Sequence, residues 1–461
     1  MNELCRHSAT ELAAMIRKGV VSSREVVEAH LARIDEVNES INAVAVTLTD
    51  RALVAADAAD SADAAARARP LHGVPFTIKE NIDCAGTPTT QGVPAFAQAV
   101  ASVDAPIVER MQAAGAVPIA RTNLPELGSR LDTDNPLHGR TYNPWNRAVT
   151  PGGSSGGEAA AIATGMSPIG LGNDIGGSVR NPAYCCGIAA IKPTVGRVPL
   201  VTSMDPLDGG IAFEFESDGL LARTIEDLRT GLAIIAGRHP GDPKSVDVPL
   251  VGPPPKAMTA ALVTSVPGVV LPDVIVREIE RAGEMLAAQG WRVEPAQPPE
   301  LENVVRMWGQ VLTTDFSAEP LEAIASRSVV RLMSGFAEYF DHDRRTLDRL
   351  LTERRRLRRL WSAFFAEHIV CVGPTWTCRQ WPIDSDLVPG TGVELMVDSL
   401  RFVAPGNGLG IPGVAVPTGV HDGLPTGVQI YADLFRDDLC LMAAECIERA
   451  AGMAIPIDPV V

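Results

Sequence analysis

The sequence predicts an α/β protein in which a central mixed, mostly parallel twisted sheet is covered by helices on both faces. Three observations carry that expectation. Segments with apolar residues at helical spacing alternate with short apolar runs of strand length. Residues AALVTSVPG (260–268), a helical stretch over 272–289 and WRVEPA (291–296) read as a β-α-β unit, whose two strands run parallel. No internal repeat or low-complexity array breaks the alternation, and 461 residues with 46% apolar and 21% charged content can bury a sizeable core.

Taken in order, the first quarter reads as helices. Ser8-x-x-Glu11 and Ser22-x-x-Glu25 are capping boxes ahead of apolar positions at helical spacing. An alanine-rich third helix is predicted over 50–69. LHGVPFTIKE (71–80) then changes to period two, with Val74, Phe76 and Ile78 on one face of a strand. A helix over 104–115, a strand VPIA (117–120) and a Gly/Pro/Asn-rich loop over 132–153 follow. Beyond the loop come a helix (156–165), a strand (168–172) and a short helical piece (182–187). The proline-rich stretch 240–257 has no periodicity and reads as a loop or linker.

Composition excludes several function classes. A net charge of −16 disfavours nucleic acid and anionic membranes as partners. The basic stretch of Arg344, Arg345, Arg349 and ERRRLRRLW (353–361) carries Leu347, Leu350, Leu351, Leu357 and Leu360 at helical spacing, so it reads as the solvated face of a helix. With no apolar run of 18 residues and no secretory pattern in MNELCRHSATELAAM, no membrane segment and a cytoplasmic location are expected. The eight cysteines (5, 84, 185, 186, 371, 378, 440, 446) contain no CxxC pair and read as reduced, mostly buried thiols rather than metal ligands.

The chemistry concentrates in two serine-glycine stretches. In TPGGSSGGEAAAIATG (150–165) the spelling satisfies G-x-S-x-G, but that motif needs a buried strand leading into the serine, and TYNPWNRAVTP cannot be one. Nor do the downstream histidines, His239, His342, His368 and His421, sit in sequence contexts that suit a catalytic base. The second stretch is LGNDIGGSVRNPA (171–183). Small residues there let consecutive N–H groups converge, so Ile175, Gly176, Gly177 and Ser178 are candidate oxyanion donors. Asp174 and Arg180 flank the turn with opposite charge, either as a surface pair or as a bidentate brace for the turn.

A base for Ser178 is suggested by lysine usage. Only five of the 40 basic residues are Lys (18, 79, 192, 244, 256), so a lysine in an apolar run asks what arginine could not do there. Lysine alone can release its proton. On the strand VPFTIKE, Lys79 would be desolvated and its amine pushed toward neutrality, able to take a serine proton.

Together these parts resemble the amidase signature family. The likeness rests on Lys79 in GVPFTIKENID, Ser154 in PGGSSGGEAAA and Ser178 in GNDIGGSVRNPA, spaced by 75 and then 24 residues. It extends to ARTNLPELG, YNPWN, IKPTVGRVP and FVAPGNGLGIPGVAVPTGVHDGLPTGVQI (402–430). The resemblance implies one domain over 1–461, with catalytic motifs within 70–200, a pocket-shaping variable region at 240–400 and a closing family segment at 400–450. It implies a Ser–cis-Ser–Lys triad without metal or cofactor. Ser178 would be the nucleophile, Ser154, on a cis peptide bond, the bridge, and Lys79 the base. Ser155 would support them by hydrogen bonding.

The implied activity is hydrolysis of the C–N bond of small-molecule amides, extending to esters, anilides or carbamates. The alternative is the glutaminase subunit of a tRNA-dependent amidotransferase, against which LVTSMDPLDGGIAFEFES (200–217) does not resemble that subunit. Ile175, Leu220 and Ala190 depart from the commoner family residues Thr, Pro and Gly. The segment 240–400 matches nothing recognisable, so substrate identity stays open. The N-terminal helices could pack on a second copy to form a homodimer.

Overall fold

A computed structural model describes residues 1–202, 210–314, 318–452 and 454–460. Part of the stretch 200–217 therefore lies outside the described residues. The chain forms one α/β domain around an 11-stranded sheet with helices on both faces. In chain order the strands are β1 (Val44–Thr47), β2 (Pro75–Lys79), β3 (Val117–Thr122), β4 (Ile169–Asp174), β5 (Ala189–Lys192), β6 (Ser217–Ala222), β7 (Thr259–Leu262), β8 (Arg292–Pro295), β9 (Val370–Pro374), β10 (Gly413–His421) and β11 (Leu424–Tyr431). Across the sheet they lie in the order β1-β3-β2-β4-β6-β5-β10-β11-β9-β7-β8.

The sheet is mixed, but parallel pairing is the minority: among the described residues six of ten strand pairings are antiparallel. Parallel neighbours arise where a helix links adjacent strands. The helix Pro106–Ala113 does so between β2 and β3, and Asp273–Ala287 between β7 and β8, the unit read from sequence. One antiparallel pair arises by direct reversal of the chain. β10 and β11 form a hairpin whose two turn residues, Asp422 and Gly423, have φ of 50° and 73°, the backbone a two-residue hairpin turn requires.

Both N-terminal capping boxes form, on Ala9–Arg17 and Ser23–Ile41. The alanine-rich helix over 50–69 is broken: Thr49–Asp60 stops, and Ala64–Arg67 restarts with Asp63 accepting from the Ala66 N–H. The N-terminal end of the first helix docks within the chain, since Asp227 accepts from the N–H groups of Ala9 and Thr10. Arg33 on the second helix reaches the Thr164 carbonyl. These contacts tie both helices to the rest of the chain.

The basic helix, Leu347–Glu367, is only partly a solvated face. Arg354 is buried and donates to the Gly408 carbonyl at 2.8 Å, and Arg358 donates to that of Leu409 at 2.6 Å. Two of its charges thus anchor the segment that follows residue 402. All eight cysteines are free thiols. Among the described residues no helix is long and apolar enough to cross a membrane.

Candidate active site

β2 and β4 are parallel neighbours, so Lys79 and Asp174, the last residues of each, emerge on the same side of the sheet. This is the edge where open α/β sheets place their ligands. β2 is buried on both faces, because Pro75–Lys79 lies between β3 and β4 under helices. The period-two pattern there marks a strand but no exposed side.

Lys79 is fully buried. Its Nζ lies 2.6 Å from Ser154 Oγ and donates to Asn173 Oδ1 at 2.6 Å. Burial drives its amine down to about 7, against the upward pull of the carboxylates of Glu216, Asp174, Asp218 and Glu158. Glu158 lies on the helix Gly156–Ala163 that starts just after the serines. It accepts from Thr122 Oγ1 at 2.6 Å and from Thr77 Oγ1, two residues before Lys79, and burial pushes its carboxyl up to about 7. Asp218, directly opposite Asn173 in the β4–β6 register, is raised well above the ordinary carboxylate range, again by burial.

Ser154 sits in a loop that only glycine can trace. The Gly153–Ser154 peptide bond is cis, as the resemblance implies, and Gly152 has φ of 83°. Thr133 Oγ1 donates to the Gly152 carbonyl at 2.8 Å, and the Gly153 N–H donates to Asn181 Oδ1 at 3.0 Å. The preceding loop is held in turn by ion pairs to buried carboxylates, Arg130 on Asp386 and Arg140 on Asp132. Ser155 contributes through its backbone: its N–H donates to the Ser178 carbonyl at 3.1 Å, while its buried hydroxyl has no partner among the described residues. The support expected from its side chain is thus a main-chain link between the two serine loops.

The turn carrying Ser178 is fixed from several sides. Asp174 and Arg180 are both 0% exposed, which excludes the surface-pair reading. Arg180 donates to both Asp174 carboxylate oxygens, at 2.9 and 3.0 Å, and to the Val403 carbonyl, Asn407 Oδ1, Gln429 Oε1 and the Tyr431 hydroxyl. Burial raises the Asp174 carboxyl, but the guanidinium outweighs it and holds the group at about 2. One buried arginine therefore ties the glycine turn to β11 and to the segment after residue 402.

The four expected oxyanion donors divide. Gly177, at φ of 105°, gives its N–H to Asp174 Oδ1 at 2.7 Å and is committed to the brace. The N–H groups of Ile175, Gly176 and Ser178 donate to no protein acceptor among the described residues. Ser178 itself is 6% exposed. Three side chains at the site were not singled out from sequence. Asn173 lay unremarked inside the quoted motif. Asn407, inside the quoted C-terminal segment, donates to the Asp174 carbonyl at 2.7 Å. Trp308, in the unmatched region, donates from Nε1 to the Ile175 carbonyl at 2.9 Å. None of His239, His342, His368 and His421 hydrogen-bonds to Lys79, Ser154 or Ser178 among the described residues.

A buried amine, a hydroxyl in contact with it and a second serine on a turn of free N–H groups form a constellation for acyl transfer. Comparison with known proteins agrees in kind. The family model described as Amidase matches residues 25–441. The chain belongs to the amidase family. It is 39% identical to an indoleacetamide hydrolase of Bradyrhizobium diazoefficiens over 97% of this chain and 87% of that protein. It is 33% identical to an acylamidase of Rhodococcus erythropolis over 97% and 96% of the two chains. Among solved structures, 6-aminohexanoate cyclic dimer hydrolase complexed with substrate superposes with a TM-score of 0.84, at 28% identity and 98% coverage of both chains. As an amidase, the protein hydrolyses amide C–N bonds.

Proposed function

We propose that this amidase works through a Ser178 acyl-enzyme, with Lys79 and Ser154 as the proton relay. The observation that carries the reading is the fully buried Lys79 amine, held near 7 and 2.6 Å from Ser154 Oγ. As the neutral amine it accepts the Ser154 hydroxyl proton while Ser154 accepts that of Ser178. Ser178 Oγ then bonds to the substrate carbonyl carbon, and the carbonyl oxygen takes the negative charge. The N–H groups of Ile175, Gly176 and Ser178 receive it.

On collapse the C–N bond breaks, and the proton returns through Ser154 to the departing nitrogen. Water adds to the acyl-enzyme by the same relay in reverse and releases the carboxylic acid. The hydrogen bond from Ser178 Oγ to Ser154 Oγ forms in the reacting complex, where catalytic contacts tighten. Ester, anilide and carbamate substrates fit the same cycle: esters and anilides change only the leaving group, and carbamates also leave a heteroatom on the acyl carbon.

For the acyl group we propose arylalkyl carboxamides such as indoleacetamide, supported by the relative of 39% identity. A hydrolysis panel of arylacetamides, aliphatic amides, anilides, esters and carbamates, run on wild type and Ser178→Ala, tests both parts. Turnover confined to wild type is expected, with arylacetamides preferred. Full activity in Ser178→Ala contradicts the acyl-enzyme, and preference for another class contradicts the substrate.

A further inference from the structure

The oxyanion turn is aimed by carbonyls. In a planar trans peptide the C=O and N–H point in opposite directions, so holding one carbonyl fixes the direction of the next residue's N–H. Each of the three free donors has such a hold behind it. Asn407 Nδ2 on the Asp174 carbonyl, at 2.7 Å, orients the Ile175 N–H. The Asn181 N–H on the Gly177 carbonyl, at 2.8 Å, orients that of Ser178. The Gly176 N–H is oriented by Trp308, whose Nε1–H meets the Ile175 carbonyl at 2.9 Å.

Trp308 is built to stay where it is. It lies on the helix Leu301–Leu312, whose Leu301, Val304, Val305, Trp308 and Val311 follow the spacing of one buried face. Its ring is 2% exposed and is met edge-on by Phe336 and Phe340, with centroids 5.9 and 6.3 Å away. On the other side it lies against Gly176 so closely that a Cβ there would be 2.6 Å from Cζ2. The indole is therefore wedged between an aromatic pair and the peptide it holds.

We propose that Trp308 is a positioning residue that aims the Gly176 N–H at the oxyanion, so that the segment 240–400 tunes turnover at a site built elsewhere in the chain. The inference rests on the acyl-enzyme reading of Ser178. Replacing Trp308 by β-(3-benzothienyl)alanine keeps the bicyclic shape and removes only the N–H, and Trp308→Phe is the simpler companion. kcat is expected to fall about tenfold to a hundredfold with KM nearly unchanged, the pattern of lost transition-state stabilisation. Affinity for a trifluoromethyl ketone, whose adduct with Ser178 carries the oxyanion, should fall by a similar factor, while affinity for the carboxylate product holds.

Unchanged kcat and unchanged ketone affinity in the benzothienyl protein would overturn the proposal, as would an equal loss of product affinity, which marks a packing role. Thermal melting of both variants shows that the fold is kept. If instead Ser178→Ala retains activity, the underlying acyl-enzyme fails whatever Trp308 does.

Discussion

Lys79 and Lys192 invite comparison because burial does the same to both. Each ends a short central strand, each is fully buried, and each amine is driven down to about 7 by burial. Their partners differ. Lys79 touches a serine hydroxyl and an amide oxygen, whereas Lys192 donates to the carbonyl of its own neighbour, Pro193, at 2.6 Å. A neutral lysine next to a carbonyl can only donate. The same amine next to a hydroxyl can take a proton, and that hydroxyl can pass on another. A lowered lysine pKa marks burial; the hydroxyl partner marks chemistry.

The largest expected effect separates the two directly. Lys79→Met should lower kcat/KM by at least about 10³-fold, as loss of a base in a nucleophile–base pair does. Lys192→Met should leave it within about threefold. Equal losses in steady-state assays would erase the distinction. Next in size, Asn173→Asp places a carboxylate on the Lys79 amine, favours its protonated form and should move the acid limb of kcat/KM to higher pH. Asn173→Ala removes an acceptor that favours the ammonium, so the limb should move the other way, with kcat down about tenfold. Wild-type kcat/KM should itself rise with pH through about 7, as Lys79 loses its proton, and then level off.

The smallest effect concerns stability. For a lysine lowered to about 7 in the fold and near 10.5 unfolded, the unfolded chain binds the extra proton between those values. Stability therefore rises with pH across that window and is flat below it. Lys192→Met should remove its share of that slope and stabilise the protein by a few kcal/mol at pH 7, read from denaturant melts at pH 7 and pH 10. A slope unchanged by the substitution would show that Lys192 is charged in the fold.

The same comparison says what the sequence could show. Lys79 and Ser178 were legible as candidates because each stands in a local pattern, a strand end and a glycine turn, whereas the role of Ser154 came only with the family resemblance. The contacts that aim them were not legible. Trp308 meets the Ile175 carbonyl across 133 residues, and Asn407 meets that of Asp174 across 233. No spacing rule encodes a side chain that holds a distant carbonyl. The layered α/β class followed from alternating periods, but period carries no strand direction, so the antiparallel majority went unread. Its one local sign was Asp422-Gly423, which reads as a hairpin turn only once both flanking strands are recognised. Arg354 and Arg358 looked solvated because their partners, the carbonyls of 408 and 409, are invisible to charge patterning.

The central claim is that the neutral amine of Lys79 activates Ser178 through Ser154. It is tested most directly by the pH dependence of covalent labelling with a fluorophosphonate, with the modified residue located by peptide mass spectrometry. The label should fall on Ser178 at a rate that rises through about pH 7 in wild type and is slow at every pH in Lys79→Met. Labelling of Ser154 instead, or a Ser178 rate indifferent to pH and to the loss of Lys79, would contradict it.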